Sequence, residues 1–442
     1  MSNTIAFIDS LSFNALPDPV VLQAKHCLMD LLGVAVAGHS TKLTQIMGQF
    51  VTSQYAGATP MLFSDNTASL TGAALFGGML IDSIDAHDGQ VLTKGHVGVA
   101  VLPALLALMQ DQDIDGETLL TNLVVGYEIA TRAGIALHAS AADYHTSGAW
   151  NGLGVVAICA RLLKLTHEQT QEALGIAEFY GPRSQMMRCI DHPTMLKDGS
   201  GWGALAGTSA ALLAQSGFTG SPAITLFDKD LAPIWDDLGE RWYILEQYFK
   251  AYPVCRWAQP AVEAVRQIAD RHAFSHDDIE TIEIFTFHEG TRLHVVHPDT
   301  TEQAQYSLPF SVASALYDGI VTVESIAETT DGLFHPARRQ LSSKVVMHES
   351  AEYNALFPAE RWAHAKVTLK SGQCLTSTPV TARGNPENPL TEAELIEKFR
   401  QLTKQALTPA EQDSLICQSL TIQDFTVEQV KAFEQQLYRP LP

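Results

Sequence analysis

The sequence predicts a mainly α-helical protein that carries a smaller α+β domain. Apolar residues recur at helical spacing through most of the first 250 residues, with small-residue runs such as GALAGTSAALLA and NGLGVVAICA. Alternation with a period of two, which is typical of strands, begins near residue 279. No strand–GxGxxG–helix unit and no GxxxxGKS/T motif occurs, so the pattern favours neither a dinucleotide-binding nor a nucleoside-triphosphate-binding fold.

The length of 442 residues exceeds what one ordinary core accommodates, which predicts more than one domain. We assign 1–255 to a large helical domain, which 391–442 completes, and 256–390 to the smaller domain. The proline-bearing stretch 384–391 is interpreted as a linker. The predicted helices of the large domain are 18–37, 70–86, 100–111, 117–138, 148–163, 168–178 and 202–216, and 391–437 is also predicted to be helical.

The smaller domain is predicted from a change in periodicity. The segment 279–287 (IETIEIFTF) alternates as a half-buried strand, and 365–380 reads as a hairpin that turns at Ser371-Gly372. Helical patterns at 258–272, 308–318 and 336–342 lie before and between these strands. Strands mixed with helices in this order predict an α+β arrangement.

Composition excludes several classes of function. The formal charge is −21, from 49 acidic and 28 basic residues, and no basic stripe is present, so a nucleic-acid partner is not expected. Apolar runs such as LPALLALM are shorter than a membrane span, and the N-terminus has no basic start before an apolar run; we expect a cytoplasmic protein with no membrane partner. Six scattered cysteines without a CxxC motif indicate reduced thiols rather than a zinc or iron–sulfur site.

The segment 80–103 concentrates ionisable residues between apolar runs. Its ionisable members are Asp82, Asp85, His87, Asp88, Lys94 and His96. Asp82 and Asp85 are predicted to share one face of a helix that ends near Asp88. One ammonium among carboxylates and imidazoles is a plausible origin of perturbed pKa values, although Asp82 could equally cap a helix or form a salt bridge. No HExxH motif or carboxylate-rich loop accompanies them, so we predict no metal.

Two further clusters follow along the chain. Tyr144 and His145 precede a Gly-rich helix start, where free N–H groups favour an anion, although a surface loop with a helix cap explains the same pattern. Arg188 and Lys197 concentrate positive charge before another small-residue helix, as a carboxylate ligand would require. Lys197 and Asp198 could instead form a surface pair.

The predicted domain junction supplies a fourth group. Tyr252 and Arg256 lie in KAYPVCRWAQP, at the boundary where ligand clefts often form. Cys255 is interpreted as a packed thiol rather than a nucleophile, because no base lies near it in sequence.

With these clusters in place, the sequence resembles the MmgE/PrpD family, which includes 2-methylcitrate dehydratase, cis-aconitate decarboxylase and iminodisuccinate epimerase. The resemblance covers essentially the whole chain, and the order and spacing of its motifs make it specific. The motifs are DLLGVAVAG (30–38), ALFGGMLIDSIDAHD (74–88), HVGVAVLPALLAL (96–108), GYEIATRAG (126–134), HTSGAWNGLGVVAICARLLKL (145–165), TMLKDGSGWGALAGTSAALLAQSGFTG (194–220), KAYPVC (250–255) and AQYSLPFSVASALYDG (304–319).

The resemblance implies a large helical domain, a lid-like α+β domain, a homodimer, and chemistry without a metal or organic cofactor. By matching motifs, it places Asp85 and Asp88, the loop histidine His96, His145 and Lys197 around the family's pocket. These positions coincide with the clusters found from residue chemistry alone. We therefore predict Asp85, His96, His145 and Lys197 as catalytic residues.

The segment that best indicates catalysis also departs most from the family pattern. His87 and Gly89 stand where the family usually has Asp and Thr, Val97 replaces a Pro, and Asp82 replaces a His. No secure counterpart of a catalytic tyrosine of the smaller domain is found, although Tyr306 lies next to the matching motif. The resemblance therefore implies a class of reaction rather than a particular substrate.

These observations predict a cofactor-independent lyase, either a dehydratase or a decarboxylase, that acts on a small di- or tricarboxylic acid. Lys197, Arg188 and Lys94 are predicted to bind carboxylates, and His96 and His145 to exchange protons while Asp85 orients or polarises one of them or acts as the base. Further predicted substrate contacts are His87, Asp88, Tyr144, Tyr252 and Arg256. The alternatives are an epimerase or isomerase of an amino- or hydroxy-dicarboxylate such as iminodisuccinate, and a non-catalytic metabolite-binding dimer.

Overall fold

The computed structural model describes residues 2–110 and 112–442. Of these residues 57% are helical and 9% lie in strands, which confirms the predicted mainly helical fold with a small sheet. The helices before residue 230 are α1 (Ser2–Ser10), α2 (Asp18–Gly38), α3 (Lys42–Gln54), α4 (Leu70–Asp82), α5 (Gly98–Met109), α6 (Gly116–Ser140), α7 (Asn151–Leu162), α8 (His167–Tyr180), α9 (Met187–Asp191), α10 (Ser200–Gln215) and α11 (Ile224–Phe227).

The remaining helices flank and follow the sheet. They are α12 (Gln259–Arg271), α13 (His288–Thr291), α14 (Thr301–Gln305), α15 (Leu308–Asp318), α16 (Pro336–Ser342), α17 (Ala351–Leu356), α18 (Glu392–Thr403), α19 (Pro409–Thr421) and α20 (Val427–Leu437). The strands are β1 (Thr59–Pro60), β2 (Thr67–Ala68), β3 (Gly89–Gln90), β4 (Gln247–Tyr248), β5 (Ile279–Thr286), β6 (Val345–Glu349), β7 (Trp362–Leu369), β8 (Cys374–Thr376) and β9 (Val380–Thr381).

Small residues allow the central helices α4, α5, α7 and α10 to approach one another closely. A Cβ added to Gly78 on α4 would lie 2.6 Å from the Cα of Gly201 on α10, and a Cβ on Gly152 of α7 would lie 2.7 Å from the carbonyl oxygen of Gly203. Such contacts exclude any side chain at these positions. The Ala- and Gly-rich runs in the sequence are therefore the inner faces of packed helices.

Helix α2 passes a simple test for a membrane span. By length and composition it is long and apolar enough, with a mean hydropathy of 1.5, and it is the one such helix among the described residues. This corrects the expectation that every apolar segment is too short. However, 78% of that stretch is buried inside the fold, where α2 packs against α4, α6 and α18, and Lys398 of α18 pairs with its Asp30. The core accounts for its apolar character.

The main sheet has the strand order β6-β5-β7-β8, with β9 also paired to β7. Strand β5 pairs antiparallel with β7 and parallel with β6. The predicted hairpin is confirmed: β7 and β8 are joined by a turn in which Gly372 has φ +87° and donates its N–H to the Leu369 carbonyl at 2.8 Å. Strand β6 was not predicted, because its residues are partly exposed on both faces and show no alternation.

One helix end differs from the prediction, and this difference affects the site. The predicted helix 70–86 ends at Asp82, because the backbone after Ser83, whose hydroxyl bonds back to the Leu80 carbonyl at 2.7 Å, leaves the helix. The prediction that Asp82 and Asp85 share a helix face is therefore wrong; Asp85 lies in the turn that follows. The predicted helix 100–111 corresponds to α5, and residue 111 lies outside the described residues.

The close approach of α4 and α10 yields a stability test. Gly201→Ala would place a Cβ 2.6 Å from Met79 Cγ and 2.8 Å from the Leu75 carbonyl oxygen, so we expect a loss of about 1–3 kcal/mol in the free energy of unfolding. Gly48→Ala on half-buried α3 meets its nearest neighbour, Phe76, at 3.5 Å, and should gain about 0.5–1 kcal/mol from helix propensity. Urea denaturation measures both; the same sign for the two variants would contradict this packing.

Candidate active site

A cavity of about 380 Å³, partly open to solvent, lies where the helical part of the chain meets the part that carries the main sheet. Most of the residues in its wall are polar or ionisable, which is unusual for a cavity inside a protein. The lining residues are Asp85, Lys94, His96, Met186, Ile190, Asp198, Tyr248, Cys255, Arg256, Trp257, Tyr306 and Arg361. Four residues predicted from sequence, Asp85, Lys94, His96 and Arg256, are thus brought together.

A buried ion pair lies at the centre of the site. Strand β3 pairs with β4, and this pairing brings Lys250 to Asp85, with Nζ 2.5 Å from Oδ1. Burial opposes ionisation of Asp85, but Lys250 and Lys197 outweigh it and hold the pKa of Asp85 well below its usual range. Burial alone would lower the pKa of Lys250, yet Asp85 outweighs this and raises it. Both groups are therefore charged. Sequence reasoning quoted the KAYPVC motif but did not single out Lys250.

His96 is held in one tautomer. Its Nδ1 lies 2.6 Å from the backbone carbonyl oxygen of Asp88, which can only accept, so Nδ1 carries the proton and Nε2 keeps its lone pair. The backbone N–H of His96 donates to Ser147 Oγ at 2.8 Å, which fixes the loop. Burial and the charge of Lys250 hold the pKa of His96 well below its usual value. The imidazole is neutral and can accept a proton.

His87 lies behind His96 rather than in the cavity wall. The two rings meet edge to face with centroids 4.3 Å apart, and His87 Nε2 is 3.5 Å from Asp82 Oδ1. Burial and Lys250 hold the pKa of His87 well below its usual value. The predicted substrate-binding residue His87 is therefore placed as a neutral neighbour of His96.

Asp85, His87 and His96 each offer a donor atom, and these atoms lie within 4.8 Å of one another. The donor set nevertheless fits a divalent ion poorly, because the ammonium of Lys250 already occupies Asp85 and Lys197 adds a second positive charge nearby. We assign no metal ligands here and derive no step through a metal.

Two of the three lysines at or near the site have left-handed backbone conformations. Lys94 and Lys197 each have φ +51°, a region that costs a non-glycine residue about 1–2 kcal/mol. Lys197 Nζ lies 2.5 Å from Gln305 Oε1 and 5.1 Å from the ring centroid of Tyr306, and the same Gln305 oxygen accepts the backbone N–H of Asp85 at 2.8 Å. Gln305 thus links Lys197 to the central ion pair, although Lys197 itself does not line the cavity.

Two carboxyl groups lie buried beside α10. Asp198 accepts a hydrogen bond from the Ser147 hydroxyl, and Asp82 accepts the backbone N–H of Ser200 at 3.3 Å. Burial raises the pKa of both carboxyl groups, outweighing the opposing effect of Lys197 on Asp82. Lys197 and Asp198 are each 2% exposed, so the alternative of a surface pair is wrong. Asp198 lines the cavity and can hold a proton there.

Gly89 explains one departure from the family pattern. A Cβ at this position would lie 2.5 Å from Tyr248 Oη and 2.7 Å from His96 Nδ1. Tyr248 occupies the space that a threonine side chain would need, and its hydroxyl is buried in the cavity wall. The lack of a side chain at Gly89 therefore makes room for the Tyr248 ring.

Several predicted residues lie outside the cavity wall. The predicted binding residue Asp88 is buried and accepts the Tyr127 hydroxyl at 2.8 Å, and the Tyr144 ring centroid lies 4.6 Å from Lys94 Nζ. His145 donates its backbone N–H to His138 Nε2 at 3.0 Å. Exposed Arg188 donates to Ser184 Oγ at 3.3 Å.

Tyr252 lines a different and larger opening. This open cleft of about 1510 Å³ lies between α12 and α18, and Tyr252 donates to Glu263 Oε1 there at 2.8 Å and accepts from Arg266. The smaller cavity is the better candidate, because its wall brings together a neutral imidazole, a carboxylate paired with a lysine, and a carboxyl group whose pKa is raised by burial.

Two buried arginines line the cavity and differ in their hydrogen bonding. Arg256 donates hydrogen bonds within the protein, to Gln259 Oε1 at 3.0 Å, to the Arg383 carbonyl at 2.7 Å and to Asn385. Arg361 is 8% exposed, and within the described residues neither its Nε nor its Nη2 has a hydrogen-bond partner. Sequence reasoning selected Arg256 and missed Arg361, which lies in ERWAHAK without any motif to mark it.

Profiles of a known protein family match most of this chain. The profile of the MmgE/PrpD N-terminal domain matches 3–230, and that of the MmgE/PrpD C-terminal domain matches 252–422. The chain belongs to the MmgE/PrpD family. The cis-aconitate decarboxylase of Mus musculus is 26% identical over 438 residues, which cover 92% of this chain and 88% of the mouse protein. That of Homo sapiens is 26% identical over 439 residues, covering 92% and 89%. The family resemblance is confirmed, and it supports a carboxylate lyase at the level of the family.

The site also predicts a pH dependence of stability. Burial and the nearby Asp30 raise the pKa of Asp88 to about 7 in the folded protein, whereas the pKa of an unfolded Asp is about 3.9. The protonated form of Asp88 therefore contributes its full stability below about pH 4, and this contribution is lost as the pH rises through 7. Asp88→Asn should remove this component, on the order of 3–4 kcal/mol between pH 4 and 8.

Urea denaturation at a series of pH values measures the effect. Asp113→Asn, on an exposed carboxylate, is the control and should keep the slope of the unaltered protein. An unchanged slope in Asp88→Asn would show that Asp88 is ionised in the folded state.

Proposed function

We propose that this protein is a cofactor-independent lyase that acts on a small di- or tricarboxylic acid. The observation that carries the proposal is the neutral His96, held as the Nδ1–H tautomer beside the Asp85–Lys250 pair in the wall of the smaller cavity. A base that is neutral among fixed positive charges is suited to handle a proton next to a carboxylate.

The residues supply the parts that such a reaction needs. Loss of carbon dioxide leaves an electron pair on the carbon next to a carboxylate. Lys197 and Lys250 surround Asp85 without lining the cavity, and their positive charge would stabilise that developing negative charge through space. The carbon must then receive a proton, which Tyr306 and Asp198 can hold, since burial raises the pKa of both. Dehydration uses the same groups differently: His96 removes the proton, and an acid protonates the departing hydroxyl.

Decarboxylation is the first choice between these two reactions. Both curated relatives carry the name cis-aconitate decarboxylase and match more than nine-tenths of this chain. The changes at His87 and Gly89 leave the substrate open, because they reshape the wall around His96. An epimerase needs proton exchange on two faces of one carbon, and His87 does not provide the second face, since it lies behind His96.

The assay should follow three readouts on one panel of acids. Carbon dioxide release from cis-aconitate reports decarboxylation, and ultraviolet absorbance reports an unsaturated product from citrate or 2-methylcitrate. Deuterium wash-in at the α-carbon of iminodisuccinate without net conversion would indicate the epimerase instead. Absence of all three signals would contradict the proposed lyase.

His96→Gln is expected to lower kcat by about 10²–10⁴-fold, because it removes the base while keeping the side-chain size. His348→Gln on β6 is the matched control, since this histidine lies outside the site at the main sheet, near Glu283. Near-normal kcat in His96→Gln would exclude His96 as the base. The same assay tests the sequence-based prediction that His145→Gln and Lys197→Ala fold normally and lose nearly all turnover.

We further propose that two copies associate through an apolar face of α8 and α10. Phe179 is 74% exposed and lies against Tyr180, and Tyr180 and Trp202 border an apolar groove. Exposed aromatic groups clustered in this way are typical of interface cores, and the family resemblance implies a homodimer.

Light scattering coupled to size exclusion tests this association. The unaltered protein should elute at twice the chain mass of 48.1 kDa, and Trp202→Glu should shift it to the monomer, because a charge would be buried in the interface. Leu22→Glu, on the exposed side of α2, is the control. A monomeric unaltered protein, or a dimer that tolerates Trp202→Glu, would exclude this face.

A further inference from the structure

The cavity wall contains one buried cation whose hydrogen-bond donors are left partly unused among the described residues. Of the carboxyl groups in the wall, Asp85 is paired with Lys250, and burial raises the pKa of Asp198 and so favours its neutral form. Arg256 is satisfied within the fold, whereas Arg361 keeps two buried donor atoms without a partner in the part of the chain that the structure describes. Buried donor atoms of a charged group are costly to leave without a partner, so Arg361 is placed for an anion that arrives with the substrate.

Lys94 lines the same cavity and is near enough to Arg361 for the two charges to repel each other. It comes from the loop between α4 and α5, whereas Arg361 immediately precedes β7, so the two belong to the two parts of the chain that meet at the cavity. Burial, followed by the repulsion of Arg361, lowers the pKa of Lys94, and Glu289 on α13 opposes this. The aromatic face of Tyr144 lies 4.6 Å from Lys94 Nζ and limits where the ammonium can point.

The reacting end of the substrate is assigned to other groups. Lys197 and Lys250 surround Asp85, close to the linker residue Gln305. Arg361 shows no contact with either lysine in the hydrogen-bond network, and its charge acts instead on Lys94, Tyr248 and Arg256. The cavity therefore has two separate positive regions.

We propose that Arg361, assisted by Lys94, forms a further carboxylate-binding subsite that selects substrates with a third carboxylate. This proposal rests on the lyase function proposed above and narrows its substrate class from di- or tricarboxylic acids to tricarboxylic acids. A planar guanidinium with two adjacent free N–H groups matches a carboxylate in bidentate geometry, which a lysine alone does not.

Binding of unreactive acids tests the subsite without turnover. Tricarballylate carries three carboxylates, and glutarate has the same chain length with two. We expect calorimetry to show that the unaltered protein prefers tricarballylate, that Arg361→Gln weakens tricarballylate about 100-fold while changing glutarate little, and that Arg361→Lys recovers part of the loss. Lys366→Gln is the matched control on β7, because Lys366 pairs with Glu283 at the surface of the sheet.

The ligand-free stability of Arg361→Gln separates a binding role from a structural one. Removing this buried cation should leave the melting temperature unchanged or raise it, whereas removing a structural arginine should lower it. A lower melting temperature with unchanged preference between the two acids would overturn the subsite.

The two proposals fail in different ways. Turnover of a carboxylic acid by both the unaltered protein and Arg361→Gln, with equal KM for di- and tricarboxylates, would overturn the subsite and leave the lyase intact. Binding of tricarballylate that depends on Arg361, without any of the three reaction signals, would support the subsite and overturn the lyase.

Discussion

The ion pair between Asp85 and Lys250 is the contact on which the remainder of the site depends. Burial and the positive member of this pair hold the pKa of the neighbouring imidazoles well below the usual value, and the negative member keeps a buried ammonium charged. Two charges this deep in a protein are tolerated only when they face each other closely, at 2.5 Å here. The pairing of β3 with β4 provides that closeness, and Gln305 adds Lys197 to the same assembly.

Carboxyl groups that would have the same charge in water differ in charge within this site. Asp85 is ionised because ammonium groups surround it. Asp88, only three residues later, has its pKa raised to about 7 by burial and by the nearby carboxylate of Asp30, which outweigh the hydrogen bond from the Tyr127 hydroxyl. Carboxyl groups with opposite environments are the usual basis for assigning one as a fixed charge and another as a proton carrier. The fold therefore sets different roles for residues of the same type within one turn of chain.

The sequence predicted the helices and the clusters better than their connections. Helical periodicity located α2, α4, α5, α6, α7, α8 and α10, and the hairpin at Gly372 followed from alternation and a turn residue. The end of α4 was misjudged because the residues after Asp82 continue a helical pattern, and only tertiary contacts show where the chain turns. Lys250 and Arg361 have no local signal of function; their importance comes from partners, or the lack of partners, far away in sequence.

The two-residue pairing of β3 with β4 has a consequence for how the active protein forms. Asp85 and Lys250 are separated by 165 positions, so the pair can form only after a long loop has closed. In a nascent chain that has folded only its first helices, Asp85 and His96 lack both the full burial and the ammonium of Lys250 that shift their pKa values in the native structure. The shifted pKa values of the site are therefore acquired late, once both halves of the polypeptide have reached their native arrangement.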